Sequence, residues 1–105
     1  MNKILIIEDD LEINALLADF LKEKGYAVHC QYDGLHVLDF LNKEKIDLII
    51  LDIMLPYRNG DIILSDVRKK FTIPVIIISA KETTQNKIDL LRLGADDNIT
   101  KPVDM

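Results

Sequence analysis

Short, unbroken runs of Val, Ile and Leu, separated by stretches of helical spacing, constrain this chain more than any other feature. Ile4-Leu5-Ile6-Ile7, Leu48-Ile49-Ile50-Leu51 and Val75-Ile76-Ile77-Ile78 are too short for ordinary helices and lack an alternating polar face. Continuous apolar strands of this kind suit a parallel sheet covered on both faces. Two weaker segments, near Ala27–Gln31 and at Asn98-Ile99-Thr100, complete a predicted set of five strands. Strands alternating with helices build a doubly wound α/β sheet. Right-handed crossovers favour strand order 2-1-3-4-5, with strands 1 and 3 adjacent where the order reverses.

Between the strands, Ile13, Leu16, Leu17, Phe20 and Leu21 predict one apolar stripe on a first helix. Asp9 or Asp10 could cap its start, and Gly25 follows its last turn. A second helix is expected around Leu35–Asn42, with Leu38 and Leu41 inward, and a third around Asp61–Lys70, with Leu64 and Val67 inward. The segment from Met54 to Gly60 reads as a loop, since Pro56 disfavours helix at Leu55 and Asn59-Gly60 suits a turn. A fourth helix is expected from about Thr84 to Leu93, ending at Gly94. The alternation also calls for a final helix beyond the fifth strand, so the fold is expected to be truncated at its last element. Residues 1–105 form one domain, in keeping with the size of a single core.

Four of the runs lead into polar residues: Glu8-Asp9-Asp10, Asp52, Ser79 and Lys101-Pro102. In an open parallel sheet these positions meet beyond the carboxyl ends of the strands, where ligands bind. Glu8, Asp9 and Asp52 would share one small site. Carboxylates a few ångströms apart repel by roughly 1–4 kcal/mol per pair, a cost that a divalent cation offsets. An all-oxygen donor set favours Mg²⁺ or Mn²⁺ over zinc. Asp52, at the end of a central strand, is placed as a nucleophile for phosphoryl transfer. Lys101 would supply a compact positive charge for a phosphoryl oxygen, and Ser79 a hydroxyl donor.

Composition excludes other classes. The net charge of −5 gives this segment no basic surface for a phosphate backbone. No apolar run approaches the ~20 residues that span a bilayer, and the first residues are expected to lead directly into a strand, since they lack the pattern of a signal peptide. The lone cysteine, Cys30, fits a reducing cytoplasm and reads as a small half-buried strand residue. His29 and His36 fall away from the acidic strand ends and read as surface or packing residues.

Taken together, Ile6-Ile7-Glu8-Asp9-Asp10, Leu51-Asp52-Ile53-Met54-Leu55-Pro56 with Gly60, Ser79-Ala80, Gly94-Ala95-Asp96-Asp97 and Thr100-Lys101-Pro102 resemble the receiver domain of two-component response regulators. The likeness runs along essentially the whole chain. It implies a flavodoxin-like fold in which Asp52 accepts a phosphoryl group from a sensor histidine kinase. It further implies Mg²⁺ bound by Asp9, Asp52 and the backbone carbonyl of Met54, with Glu8 in the pocket. Ser79 would be the switch hydroxyl, Lys101 the phosphate contact, and Lys101-Pro102 a cis peptide. Such a domain promotes its own phosphorylation and dephosphorylation rather than turning over a substrate.

The wording of these motifs is most similar to the branch whose receiver is joined to a winged-helix DNA-binding domain. By position, that likeness implies a homodimer face with Lys87, Asp96 and Asp97 as charged contacts and Ile88 and Leu91 as its apolar patch. DNA would then be reached only through an output domain absent from this sequence. Two positions depart from the pattern: Asn98 stands where an aromatic switch residue is usual, and Val103 where Phe is usual. Asn98 supports one alternative, a degenerate receiver that binds partners without phosphorylation. A flavodoxin-like mononucleotide binder would need a Gly/Ser-rich loop where Glu8-Asp9-Asp10 stands. An aspartate-nucleophile phosphatase would need a second carboxylate at Met54.

Overall fold

The computed structural model describes residues 2–52, 60–79 and 97–100, with backbone alone for residues 79 and 97–100. Five strands, β1 (Lys3–Ile7), β2 (Ala27–Gln31), β3 (Leu48–Asp52), β4 (Val75–Ser79) and β5 (Asp97–Thr100), alternate with α1 (Leu11–Glu23), α2 (Val37–Lys43) and α3 (Gly60–Lys70). The strands form one parallel sheet in the order β2-β1-β3-β4-β5. Strands β1 and β3 are therefore neighbours. The expected loop over Met54–Asn59 and the expected fourth helix over 84–93 lie outside the described residues.

The unbroken apolar runs are explained by burial on both faces. Successive strand side chains point to opposite sides. Ile4 and Ile6 of β1, Ile50 of β3 and Ile78 of β4 pack with Leu17 and Ala18 of α1. Leu5 and Ile7, Ile49 and Leu51, and Val75 and Ile77 pack with Val37 and Leu41 of α2 and with Ile63, Leu64 and Val67 of α3. Leu5, Ile6, Ile7, Leu64 and Ile77 have no exposed surface. Burying such a side chain is worth about 1.5–3 kcal/mol relative to leaving it exposed.

Helix α1 starts where Asp10 accepts hydrogen bonds from the backbone N–H groups of Glu12 and Ile13, at 3.0 and 3.1 Å. Asp10, rather than Asp9, is therefore its cap. At the other end Gly25 adopts φ 95°, a left-handed conformation that side chains disfavour. One residue departs from the expected apolar stripe. Leu16 is 53% exposed, whereas Asn14, Leu17 and Ala18 are buried. At 3.6 residues per turn, Leu16 lies about 200° around the helix from Asn14, on the solvent side.

The other differences are boundary shifts of one or two residues. Helix α2 begins at Val37 rather than Leu35, leaving Leu35 exposed, and Leu38 is only partly buried. Gly60 is the first residue of α3 instead of the last of the preceding turn, and Asp52 is the last residue of β3. In β2, His29 packs its ring against Phe40, with centroids 5.2 Å apart. Cys30 is half-buried, and that burial raises its thiol pKa despite the opposing charge of Lys22. Among the described residues, no helix is long and apolar enough to cross a membrane.

Candidate functional site: an acidic pocket at the carboxyl edge

The alternation that builds the two cores also assembles the site. Ile7 of β1 is aligned with Leu51 of β3, so one step further along the strands Glu8 comes level with Asp52. Both follow the even-numbered residues that face α1. They end up buried, Glu8 at 0% and Asp52 at 1% exposure. Asp9, just past the end of β1, is exposed.

One carboxylate oxygen from each of Glu8, Asp9 and Asp52 lies within 4.8 Å of the other two. That spacing suits ligands around a single cation. The donor set is all oxygen and anionic, with neither thiolate nor imidazole, which matches Mg²⁺ or Mn²⁺ chemistry. The open side lies at Asp9, while the buried pair forms the floor. Asp10 belongs to the same sequence run but is committed to capping α1.

The remaining expected site residues are placed less fully. Ser79 is the last residue of β4, one position beyond Ile78, which is aligned with Asp52. The backbone of Ser79 thus reaches the same edge of the sheet. Asp97 opens β5, and Asn98 is aligned with Ile77 of β4. Met54, Lys87, Ile88, Leu91, Asp96, Lys101 and Val103 lie outside the described residues.

A further polar residue belongs to this edge and was not among those expected from sequence. Asn14 of α1 has no exposed surface. Its side-chain amide donates to the Glu8 carbonyl at 3.0 Å and to the Gln31 carbonyl at 3.3 Å. The available signal was an amide interrupting an otherwise apolar helical face, four residues before Ala18 and three before Leu17.

Comparison with known proteins agrees with this geometry. The sequence profile of the response regulator receiver domain matches residues 4–105. The chain belongs to that family. Among solved structures, the receiver domain of Francisella response regulator 1452 is 36% identical, with a TM-score of 0.94 over 99% of this chain and 87% of that one. The BeF3-activated N-terminal receiver domain of Klebsiella pneumoniae RstA is 33% identical, with a TM-score of 0.92 over 98% of this chain and 88% of that one. A two-component response regulator from Clostridium difficile is 30% identical, with a TM-score of 0.95 over 99% and 86%. The receiver fold and its part in phosphoacceptor signalling are thereby established for this chain.

Proposed function

We propose that Asp52 is the phosphoacceptor of this receiver domain and takes its phosphoryl group from a sensor histidine kinase. The observation that carries this reading is the convergence of Glu8, Asp9 and Asp52 within 4.8 Å at the end of the two central strands. A carboxylate oxygen of Asp52 attacks phosphorus as the N–P bond of a phosphohistidine breaks. The bonding pair leaves with the imidazole nitrogen, and an acyl phosphate remains on Asp52.

Asp9 and Asp52, with Glu8 beside them and the Met54 carbonyl, are the proposed ligands of Mg²⁺ or Mn²⁺. When bound, the cation offsets negative charge on the phosphoryl oxygens. Ser79 donates its hydroxyl to one of those oxygens and Lys101 its ammonium to another. The domain promotes its own phosphorylation and dephosphorylation and turns over no separate substrate.

The signal is proposed to leave through homodimerisation at Lys87, Ile88, Leu91, Asp96 and Asp97. A winged-helix output domain, outside this sequence, would then act on DNA in the cytoplasm. Support for that branch comes from the motif wording, and the similar RstA receiver is itself an N-terminal domain. Asn98, lacking an aromatic ring, makes the coupling step the weakest part of this chain's family pattern.

The test is intact-mass measurement after treatment with a small phosphodonor, with and without Mg²⁺. The expected result is a single Mg²⁺-dependent phosphoryl adduct on the native protein and none on Asp52→Asn. Absence of the adduct from the native protein, or its persistence in Asp52→Asn, overturns the assignment.

A further inference from the structure

We infer that Asn14 is a positioning residue for the metal pocket, fixing the peptide unit that joins Glu8 to Asp9. This inference rests on the proposed role of the acidic cluster as a metal site. Strand β1 ends at Ile7, so the Glu8 carbonyl lies past the last β1 residue of the sheet. It accepts a hydrogen bond from the Asn14 amide at 3.0 Å. The same amide nitrogen reaches the Gln31 carbonyl, which also accepts from the Glu8 N–H at 3.0 Å. Asn14 is itself held by its own N–H, bonded to the Asp10 carbonyl at 2.9 Å in the first turn of α1.

A closed set of contacts therefore ties the ends of β1 and β2 to the start of α1. The peptide at its centre carries one metal-site carboxylate on each side. Two carbonyl partners also settle the side chain's orientation, since only the NH₂ group can donate to both.

The position is costly for an amide. Asn14 is fully buried on a face otherwise made of Leu17 and Ala18, and its Oδ1 accepts no hydrogen bond among the described residues. An unsatisfied buried acceptor costs about 1–3 kcal/mol. Leucine branches at the same atom and, though bulkier, would bury no polar group there. What leucine lacks is the pair of donors aimed at the strand-end carbonyls. Groups that orient metal ligands from behind commonly affect affinity by about 10–100-fold.

The experiment compares Mg²⁺ binding by isothermal titration calorimetry in the native chain, Asn14→Leu and Asn14→Ala, with thermal melts of the metal-free proteins. Both variants are expected to bind Mg²⁺ about 10-fold more weakly, although Leu fills the site and Ala leaves a void. Their melting temperatures should therefore differ while their affinities agree. The Mg²⁺ concentration giving half-maximal phosphorylation by a small phosphodonor should rise in parallel, with the rate at saturating Mg²⁺ unchanged.

A purely packing role predicts the reverse, with Leu restoring native affinity and only Ala impaired; that result overturns the inference. Either variant that folds suffices, since native affinity in it is decisive against a positioning role. If the native chain neither binds Mg²⁺ nor accepts a phosphoryl group, the metal-site reading itself falls. If it does both and Asn14→Leu matches it, only the role of Asn14 falls.

Discussion

At the amino-terminal end of the sheet acidic side chains are interspersed with lysines, whereas at the carboxyl end they are drawn together. Lys3 opens β1; its backbone N–H donates to Asp47 at 2.8 Å, and its ammonium pairs with Glu44 at 3.3 Å. Both members of that ion pair are about two-fifths exposed. At the other end Glu8 and Asp52 are buried beside each other, with Asp9 at their rim. The same residue type thus does two jobs on one strand pair. Where acids alternate with a cation in solvent they trim an edge. Where they are concentrated and dehydrated, they form a site that a cation would suit.

That contrast can be broken by metal. Mg²⁺ at about 100 times its dissociation constant should stabilise the native chain by about 2.7 kcal/mol, read from urea unfolding with and without the ion. Asp9→Asn should lose most of this gain at the same concentration, and Glu44→Gln should keep it. An undiminished gain in Asp9→Asn would erase the distinction between the two edges.

A smaller effect separates the acids within the carboxyl edge itself. Asp10→Ala removes the cap of α1 and should cost about 1 kcal/mol, while the stabilisation by Mg²⁺ persists. Loss of the metal response in that variant would place Asp10 with the ligands instead of the cap.

The smallest effect belongs to the amino-terminal edge. Glu44→Gln breaks a half-exposed ion pair and should cost no more than about 0.5 kcal/mol, diminishing in high salt. A loss well above about 1 kcal/mol would show that this edge, too, carries buried electrostatics.

Strands β1, β3 and β4, their parallel arrangement and the acidic cluster were legible in the sequence, because burial on two faces leaves an unbroken apolar run and because strand ends are marked by charge, whereas half-buried β2 carries a weaker signal. Leu16 was misread for a definite reason. Leucine contributes to an apolar count wherever it stands, and a five-residue stripe is broad enough to admit one that faces solvent. Asn14 was missed for the opposite reason: its polar character hid a buried position that only the helix phase relative to Leu17 and Ala18 could reveal. The pairing of Asp10 with the helix start, rather than Asp9, depended on backbone direction at one residue. No pattern of hydrophobicity encodes that direction.

The two-sided core has a consequence for how this chain tolerates change. Ile4-Leu5-Ile6-Ile7 would bury comfortably if displaced by one residue, because each face would simply exchange one branched aliphatic for another. Hydrophobicity alone therefore cannot tell the correct frame of β1 from its neighbour. Glu8 can, since a one-residue deletion would put its carboxylate in the slot of Ile7, inside the apolar layer that packs against α2 and α3. The group suited to chemistry is thus also the one that makes misalignment expensive, and deletions in β1 should be tolerated far less well than its bland composition suggests.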